Sequence, residues 1–415
     1  MKICFIFPYR GVGGVSVVFC QIAEDIAKYY GYDVYLVDYI DGAISKQVNK
    51  DICNFIEYSD SFLTYLPENL HIVFQGMTPW SIFPNLVIPK NSKIYFWTLH
   101  FSNFLPVLPG FRRYMKSNQF IFNLIAKTIM LPWFLKTRKF VKFLIDNNGV
   151  TFMDDDTYLC TKKLLSLNCS NPNFLPLPYK IKYKSFNNDF KRVNDNKIRF
   201  LFLGRLVNFK FFSLQLAIKK LSNYFKLKNL EAKVTIVGSG PYLNKVYQLS
   251  KKYNNLEFEF IENIPYKKID KYIQGSFDIA FAMGSSALTC GASGIATILL
   301  DLSYSEVNDN YLFSWLHERD GKTLGDHITR KHFSNSLNTL DKCIDDYLKN
   351  PKKISKLTYD YVLKNHSVKE IKDNLLNQIK NTKVNYELFL KYNFYKKGIV
   401  YFLFKKMFGS RHNEP

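Results

Sequence analysis

The segment FLGRLVNFK, residues 202–210, places two cations beside a glycine directly after a run of apolar residues. Gly204 allows the chain to turn at the end of a predicted strand, and Arg205 and Lys210 flank the start of a helix predicted near Phe211. Two cations and the N–H groups of a helix N-terminus bind a doubly charged anion such as diphosphate. The segment therefore predicts an anion site that would also stabilise a departing phosphate. The alternative is a pair of solvated charges on a basic surface.

Two further glycine-rich turns follow later predicted strands. The turn GSGP contains Gly238 and Gly240, and the segment MGSSALTCGASGIATILLD begins at the end of another strand. In this second segment, Gly284, Ser285 and Ser286 can present backbone amides and hydroxyl groups at the opening of a helix. Such an arrangement holds phosphate, so these residues are added to the predicted anion site.

Polar side chains also follow two predicted strands in the first half of the chain. His100 comes after KIYFWTL, and its imidazole is expected either to contact a ligand or to be a hydrogen-bonded structural group. Asp154, Asp155 and Asp156 come after GVTFM. One of these carboxylates could deprotonate a hydroxyl group, whereas three adjacent acids in a loop more often form a helix cap or a solvated turn.

The turn RGVGGVS, residues 10–16, follows the first predicted strand, KICFIF. With Asp38 at the end of the second strand, it approaches the dinucleotide-binding fingerprint, in which an acid about 20 residues further on binds a ribose. The final glycine of that fingerprint is absent, and Pro8, Tyr9 and Arg10 lengthen the turn. NAD binding is therefore kept as an alternative to the diphosphate site.

All these residues require parallel strands whose carboxyl ends meet at one edge of a sheet. Apolar runs alternate with helix-length segments from KICFIF to GVTFMD, and the pattern restarts from KIRFLFLG to ATILLD. We therefore predict an α/β protein with two doubly wound, Rossmann-like domains facing a central cleft. The predicted domains are residues 1–185 and 196–385, with a polar linker at 180–196 and a basic, aromatic helical tail at 386–415.

The composition is that of a globular protein with a strong positive balance. Of the 415 residues, 47% are hydrophobic and 22% are charged, and 57 Lys+Arg against 35 Asp+Glu give a net charge of +22. This charge favours anionic partners such as phosphates or acidic lipids, although part of it could reflect drift in an AT-rich genome. No RNA- or DNA-binding module is recognised, so nucleic acid is not expected as a partner.

The cysteines and the amino terminus predict a cytoplasmic protein. The seven cysteines form no CxxC pair, which is typical of reduced thiols in the cytosol. The terminus MKICFIFPYRG is too short an apolar run for a signal peptide, and no run approaches the roughly 20 apolar residues that span a bilayer. The seven His and seven Cys show no metal-ligand cluster, so neither a metal nor another cofactor is expected.

Two segments combine cations with large apolar side chains. Residues 110–145 contain eight Lys or Arg and no acid, and residues 392–408 repeat lysines flanking aromatics. Segments of this kind can lie in a membrane interface, where each cation contributes about 1 kcal/mol near anionic lipid. The alternatives are a helix pair with a basic outer face and, for the tail, a helix that crosses back onto the first domain.

The order of these motifs resembles that of GT-B glycosyltransferases, especially the retaining family 4 group. That family carries a glycine-Arg-x4-Lys segment after the first strand of its second domain, and Arg205 and Lys210 match its spacing. Further matches are the turn RGVGGVS, the histidine in WTLHFSN, and the tail LKNPKKISKL…NHSVKEIKDNLLNQI. The likeness spans nearly the whole chain.

The resemblance implies a nucleotide-sugar donor held by the second domain and a saccharide or lipid-linked saccharide acceptor offered by the first. It implies that Gly13 and Gly14 let the chain approach the donor phosphates or the acceptor, and that His100 contacts the transferred sugar. The implied reaction retains anomeric configuration without a metal and serves bacterial surface polysaccharide, capsule or lipooligosaccharide synthesis. The enzyme would then work in the cytoplasm, either free or peripherally on the inner face of the cytoplasmic membrane.

One position departs from the family pattern. The family has two glutamates eight residues apart, the second of which binds the nucleotide ribose, and the register of GIATI places Thr289 at that second position. No carboxylate occurs between Asp278 and Asp301. The ribose is then recognised differently, with Thr289 giving a weaker hydroxyl contact, or the donor is unusual, or donor binding has been lost. The last case describes a degenerate GT-B protein that acts as a binding or scaffold subunit.

Overall fold

The structure is a computed structural model that describes residues 1–11, 14–106, 128, 130–169, 171–181, 197–328, 337–397, 402 and 406. The chain forms two compact units. Unit 1 comprises Met1–Pro178 and Ile371–Pro415, and unit 2 comprises Tyr179–Glu370.

Unit 1 contains a seven-stranded sheet of order β3-β2-β1-β5-β7-β8-β9, in which every pair of neighbouring strands is parallel. A separate parallel pair is formed by β4 and β6. The strands are β1 Lys2–Ile6, β2 Asp33–Asp38, β3 Asn54–Glu57, β4 Thr64–Tyr65, β5 Leu70–Gln75, β6 Leu86–Val87, β7 Lys93–Thr98, β8 Val150–Phe152 and β9 Asn173–Phe174. The helices before unit 2 are α1 Gly14–Tyr30, α2 Leu131–Asp146 and α3 Asp155–Leu165, with a 3-10 turn at Pro79–Ser81.

Unit 2 repeats this plan with a six-stranded sheet of order β12-β11-β10-β13-β14-β15. Its strands are β10 Lys197–Leu203, β11 Glu231–Val237, β12 Glu257–Ile261, β13 Ile279–Ala282, β14 Ala296–Leu299 and β15 Ser314–Trp315. Only β15 is antiparallel to its neighbour. Its helices are α4 Asn208–Lys228, α5 Leu243–Ser250, α6 Tyr266–Ile273, α7 Ser285–Ala292, α8 Leu340–Lys349 and α9 Pro351–His366, with 3-10 turns at Leu316–Glu318 and Asp320–Lys322.

The strands form because apolar runs can be buried on both faces of a parallel sheet. Four of the five residues of β1 are fully buried, and so are all four residues of β13. In unit 2 the strand order reverses between β10 and β13, because β11 lies on the other side of β10. Ligands of doubly wound sheets bind beyond the carboxyl ends of the strands at this reversal. The sheet thus places the turns after β10 and β13 at the expected binding edge.

The carboxyl-terminal part of the chain corrects the predicted domain boundary. The sequence pattern assigned residues up to 385 to the second domain, whereas residues from Ile371 onward belong to unit 1. The described part of this stretch includes most of α10, Val368–Asn381, and all of α11, Tyr386–Lys391. Helical periodicity predicts that a helix has a buried face without saying which core covers it, and here Lys372 forms a 2.6 Å ion pair with Asp25 of α1.

The predicted strands and the predicted pair of Rossmann-like sheets are confirmed. The start of the helix after β10 was predicted near Phe211 and is found at Asn208, so that Lys210 lies inside its first turn. The linker predicted at 180–196 falls almost entirely outside the described residues. None of the helices in the described part is both long enough and apolar enough to cross a membrane.

Candidate functional site

The turn after β10 brings a lysine over a glycine backbone. Gly204 has a φ of +151°, and a Cβ built on it would lie 3.0 Å from Lys210 Nζ and 3.5 Å from Ser286 Oγ. The lysine amine and the serine hydroxyl, from the first turns of α4 and α7, therefore meet above the same residue. A side chain at position 204 would compete with both groups for this space, which accounts for the glycine.

Lys210 is a cation in a poorly solvated place. Burial, followed by the charge of Arg205, lowers the pKa of its amine from 10.5 to about 8. Within the described ranges, no carboxylate forms an ion pair with Lys210 or with Arg205, which is exposed. Lys210 is half-buried, and a partly desolvated ammonium without a counter-ion is unfavourable, so this arrangement favours an anionic ligand beside Lys210.

The amino terminus of α7 faces open space. Gly284 precedes this helix with a φ of +64°, no side chain caps it, and a Cβ built on Gly284 would meet nothing within 4 Å. Its own N–H donates to the Leu324 carbonyl at 2.6 Å, which fixes the turn. Ser285 is exposed and Ser286 half-buried. The predicted grouping of Gly284, Ser285 and Ser286 at a helix opening is what the structure shows, and such an opening attracts negative charge.

Gly238 and Gly240 follow the neighbouring strand β11 and pack against the turn after β10. A Cβ on Gly238 would lie 2.0 Å from the Gly204 carbonyl oxygen, and one on Gly240 would lie 2.4 Å from that of Leu206. Leu206 N–H also donates to the Ser239 carbonyl at 2.9 Å. Both glycines thus contact the backbone on either side of Arg205. Because they have no side chain, this backbone can pack against the end of β11.

Thr289 lies one turn into α7 and is 6% exposed. Its hydroxyl donates to the Ser285 carbonyl at 3.1 Å within the helix. The hydroxyl proton is therefore already used, and the position supplies no charge to a ribose.

His100 follows β7 in unit 1, and its imidazole is exposed. The Ser102 N–H donates to His100 Nδ1 at 3.2 Å, and the Ser102 hydroxyl lies 2.7 Å from the same nitrogen. Because Nδ1 accepts, the neutral ring carries its proton on Nε2. The ring is thus oriented by a structural hydrogen bond while its other nitrogen stays a donor, and both predicted roles of His100 remain compatible with this geometry.

Two acidic candidates of unit 1, Asp154 and Asp38, have structural roles. Asp154 caps α3 by accepting the Thr157 N–H at 2.7 Å, which confirms the helix-cap interpretation of this cluster. Asp38 is fully buried, and its carboxylate accepts N–H groups of Tyr9 and Tyr39 at 2.7 and 2.8 Å and of Ile44 at 2.7 Å. Because these amides occupy the carboxylate, the dinucleotide alternative loses its ribose ligand.

Some predicted residues lie wholly or partly outside the described residues. Gly13 is one of them, while Gly14 begins α1 and has open space where a side chain would be. Of the segment 110–145, position 128 and residues 130–145 are described, and of 392–408 the structure describes 392–397, 402 and 406.

Sequence reasoning missed a buried ion cluster beside the site. Arg319 bonds Asp301 at 3.2 Å and Asp326 at 2.7 Å, and all three side chains are at most 1% exposed. Asp301 comes shortly after the apolar run of β14, so the sequence does indicate that it lies at the carboxyl edge of the sheet. Nothing in the local sequence around Arg319 or Asp326 indicates that they pair.

Comparison with known proteins shows the fold of this chain. No protein-family model matches the chain, and no curated protein matches its sequence. Among solved structures it is similar to a glycosyltransferase from Rickettsia africae ESF-5, with a TM-score of 0.54 and 16% identity over 91% of this chain and 97% of the other. It is also similar to the structure "Trehalose-6-phosphate from E. coli bound with UDP-2-fluoro glucose", with a TM-score of 0.55 and 11% identity over 92% and 99%. At these identities the likeness concerns the fold, which is GT-B, as the sequence predicted.

Proposed function

We propose that this protein is a glycosyltransferase that moves a sugar from a nucleotide-sugar donor to a saccharide or lipid-linked saccharide acceptor. The observation that carries the proposal is the uncompensated Lys210 amine, which lies with Ser286 Oγ above Gly204 at the binding edge of unit 2. The diphosphate of a nucleotide sugar supplies the charge that this site lacks. The GT-B fold is compatible with such chemistry but does not by itself imply it.

In the proposed reaction, the bond between the anomeric carbon and the diphosphate oxygen breaks, and the electron pair leaves with the diphosphate. The acceptor hydroxyl forms the new glycosidic bond, and its proton passes to the departing diphosphate. Lys210, Arg205 and the amides at the start of α7 stabilise the charge that develops on the leaving group. This stabilisation requires the protonated amine of Lys210, and it supplies positive charge without a metal.

Retention of anomeric configuration and a role in bacterial surface polysaccharide, capsule or lipooligosaccharide synthesis complete the proposal, and both rest on the family resemblance. Unit 1 would offer the acceptor, and His100, an exposed residue, would donate its Nε2–H to a sugar oxygen. The solved structures of similar fold include one with bound UDP-2-fluoro glucose, so UDP-sugars are the first donors to try.

Calorimetric titration with UDP, GDP, CDP and ADP tests the donor site. We expect one of them to bind the wild type, and Lys210→Ala and Arg205→Ala to weaken that binding at least tenfold. Lys226→Ala, an exposed lysine at the far end of α4, is the matched control. Unchanged affinity in both site variants would refute the donor site.

The rival hypothesis is a non-catalytic scaffold subunit, and Thr289 is the observation that favours it. The same titration separates the two, because a scaffold that has lost its donor produces no heat with any of the four nucleotides. A wild type that binds a nucleotide tightly and shows sugar transfer would exclude the scaffold.

We further propose that unit 1 contacts anionic membrane through one face of α2. Leu131 and Leu135 are 44% and 45% exposed, and Arg138, Lys139 and Lys142 are exposed further along the helix. The spacing of these five residues places them on one side of the helix. Apolar side chains that enter the interface and cations that meet lipid phosphates are the two parts of a peripheral anchor.

The tail contributes less of its surface to such an anchor than the sequence suggested. Phe394 is 7% exposed, and its ring lies 5.2 Å from that of Phe140 in α2. This packing agrees with the alternative that the tail returns to the first domain, while Tyr392 and Tyr395 remain 56% and 41% exposed.

Sedimentation with vesicles of phosphatidylglycerol and phosphatidylcholine tests the membrane surface. Changing Arg138, Lys139 and Lys142 to Gln should lower the bound fraction severalfold at about 0.1 M salt. A control with the same loss of charge changes Lys226, Lys228 and Lys251, which are exposed in unit 2. Equal losses in both variants would mean that general charge, and not this face of α2, holds the protein to lipid.

A further inference from the structure

We propose that Arg319 is a positioning residue that holds the two halves of the diphosphate site of unit 2 in register. This inference rests on the proposed donor site. It concerns a residue that forms no hydrogen bond or ion pair with Lys210 or Gly284 among the described residues, and that acts through the two backbone segments it joins.

The first segment follows β14 and holds the helix that carries Lys210. Asp301 begins it, and the Ser303 N–H donates to the Phe209 carbonyl at 2.9 Å in the first turn of α4. One turn later, the Ser213 hydroxyl donates to the Asp301 carbonyl. Two hydrogen bonds therefore fix the start of α4, and with it Lys210, to the residues that follow β14.

The second segment follows β15 and holds the turn before α7. The Leu324 carbonyl accepts the Gly284 N–H, and Gly325, with a φ of +115°, packs so closely that a Cβ there would lie 2.7 Å from the Leu300 carbonyl oxygen. Asp326 comes next in this segment. The position of Gly284 thus depends on where residues 324–326 lie.

Arg319 joins the two segments. Its Nη2 donates to Asp301 at 3.2 Å, its Nη1 donates to Asp326 at 2.7 Å, and its Nε donates to the Ser314 hydroxyl at 3.1 Å. The segments also bond each other directly, since the Asp326 N–H donates to Asp301 Oδ1 at 2.8 Å and the Leu302 N–H to the Asp326 carbonyl at 2.7 Å. The planar guanidinium is the group that can bridge two carboxylates in fixed directions.

Full burial makes this bridge stiff and sensitive to change. The side chains of Arg319 and Asp301 are each 1% exposed and that of Asp326 is 0% exposed, so water cannot replace a lost bond without opening the loop. A site that must meet a diphosphate with several donors at once needs supporting groups of this kind. Loosening the bridge should separate Lys210 from Ser286 and admit water between them.

The test uses Arg319→Lys, which keeps the positive charge and removes the planar guanidinium that bridges the two carboxylates. It also uses Asp326→Asn, which keeps the shape of the side chain and removes one ion pair. Arg199→Lys is the matched control. Arg199 pairs with Asp278 at 3.1 Å at the amino end of β10, the opposite end of the same strand from Gly204. Circular dichroism at the working temperature confirms that each variant is folded before it is used.

The first measurement needs no nucleotide. Reductive ¹³C-methylation followed by NMR titration gives the pKa of the Lys210 amine, assigned by the signal lost in Lys210→Arg. We expect about 8 in the wild type and in Arg199→Lys, and a rise of more than one pH unit toward 10.5 in Arg319→Lys and Asp326→Asn. A merely structural role for Arg319 would destabilise unit 2 and leave this pKa unchanged.

The second measurement is calorimetry with inorganic pyrophosphate. At least a tenfold loss of affinity is expected in the two bridge variants, and less than twofold in the control. A Lys210 pKa that stays near 8 in both folded bridge variants would overturn the inference. If the wild type binds none of the four nucleotides, the proposed donor is wrong, and the amine titration still decides the role of Arg319.

Discussion

The carboxyl ends of the parallel strands form one edge in each of the two sheets, and these two edges treat their charges in opposite ways. In unit 1, Asp38 accepts three backbone N–H groups, Asp154 caps α3, and Arg10 pairs with Asp41 at 3.1 Å. In unit 2, Lys210 is half-buried beside Arg205, and no acid forms an ion pair with it in the part of the chain that the structure describes.

This contrast separates the proposed binding edge of unit 2 from the structural edge of unit 1. A carboxylate satisfied by its own backbone stabilises the fold and has nothing left for a ligand. A desolvated cation without a partner costs stability and becomes favourable only when an anion arrives. The two edges can therefore be set against each other experimentally.

The largest expected effect is on sugar transfer. Lys210→Met should lower kcat/KM for the best nucleotide sugar by 100-fold or more, equivalent to about 3 kcal/mol of leaving-group stabilisation. Asp154→Ala in unit 1 should leave kcat/KM within twofold once folded protein is compared. Steady-state kinetics of both variants measure the contrast, and comparable losses would erase the distinction between the edges.

A second effect is the pH dependence of nucleotide affinity. The folded-state pKa of Lys210 is lowered to about 8, so its amine is charged below that pH and loses its proton above it. Affinity should therefore fall above pH 8, by roughly tenfold per pH unit, because one proton is needed for binding. Lys210→Arg should bind with a flat profile up to about pH 10, since guanidinium stays charged. Calorimetry at pH 7, 8, 9 and 10 gives both curves.

Stability should change in opposite directions at the two edges. The pKa of Lys210 is about 8 in the folded protein and 10.5 in the unfolded chain, so the folded protein binds fewer protons between these pH values. The destabilisation caused by its desolvated charge is therefore fully present below pH 8. Lys210→Met should thus raise the free energy of unfolding at pH 7, by on the order of 1 kcal/mol.

Asp154→Ala should lower the free energy of unfolding at pH 7 by about 1 kcal/mol, because the substitution removes a helix cap. Denaturant unfolding of the unliganded protein at pH 7 measures both variants. A loss of stability in Lys210→Met would show that its amine has an internal partner after all.

The smallest effect concerns Thr289. Because its hydroxyl donates to Ser285 within α7, Thr289→Ala should change nucleotide affinity less than twofold. A larger loss would show that this hydroxyl leaves the helix to contact the ligand, and it would restore a ribose role at the position where the family has glutamate.

Much of this architecture could be predicted from the sequence, because its signals are local. Continuous apolar runs such as those of β1 and β13 specify buried parallel strands, and the spacing of Gly204, Arg205 and Lys210 specifies a turn with two cations. The helix after β10 begins three residues earlier than predicted, since Val207 ends the turn without a polar cap that the sequence could have displayed.

The parts that could not be predicted depend on contacts between distant positions. Ser286 and Lys210 come close together because β10 and β13 are neighbours in the sheet. The amino-acid composition does not indicate this strand order. Arg319 and its carboxylates lie up to 18 residues apart, in segments without a repeating pattern. The lowered pKa of Lys210 arises from burial, which a sequence shows only once the fold is known.

The return of the carboxyl terminus to unit 1 has a consequence for synthesis on the ribosome. Unit 2 is one continuous stretch of the chain, whereas unit 1 needs late residues to complete its core. Val384, whose carbonyl accepts the Ile94 N–H at 2.9 Å, and Phe389, which is 1% exposed, are two of these residues. The half translated first is thus completed last, and until release its apolar surface is open to chaperones and to aggregation.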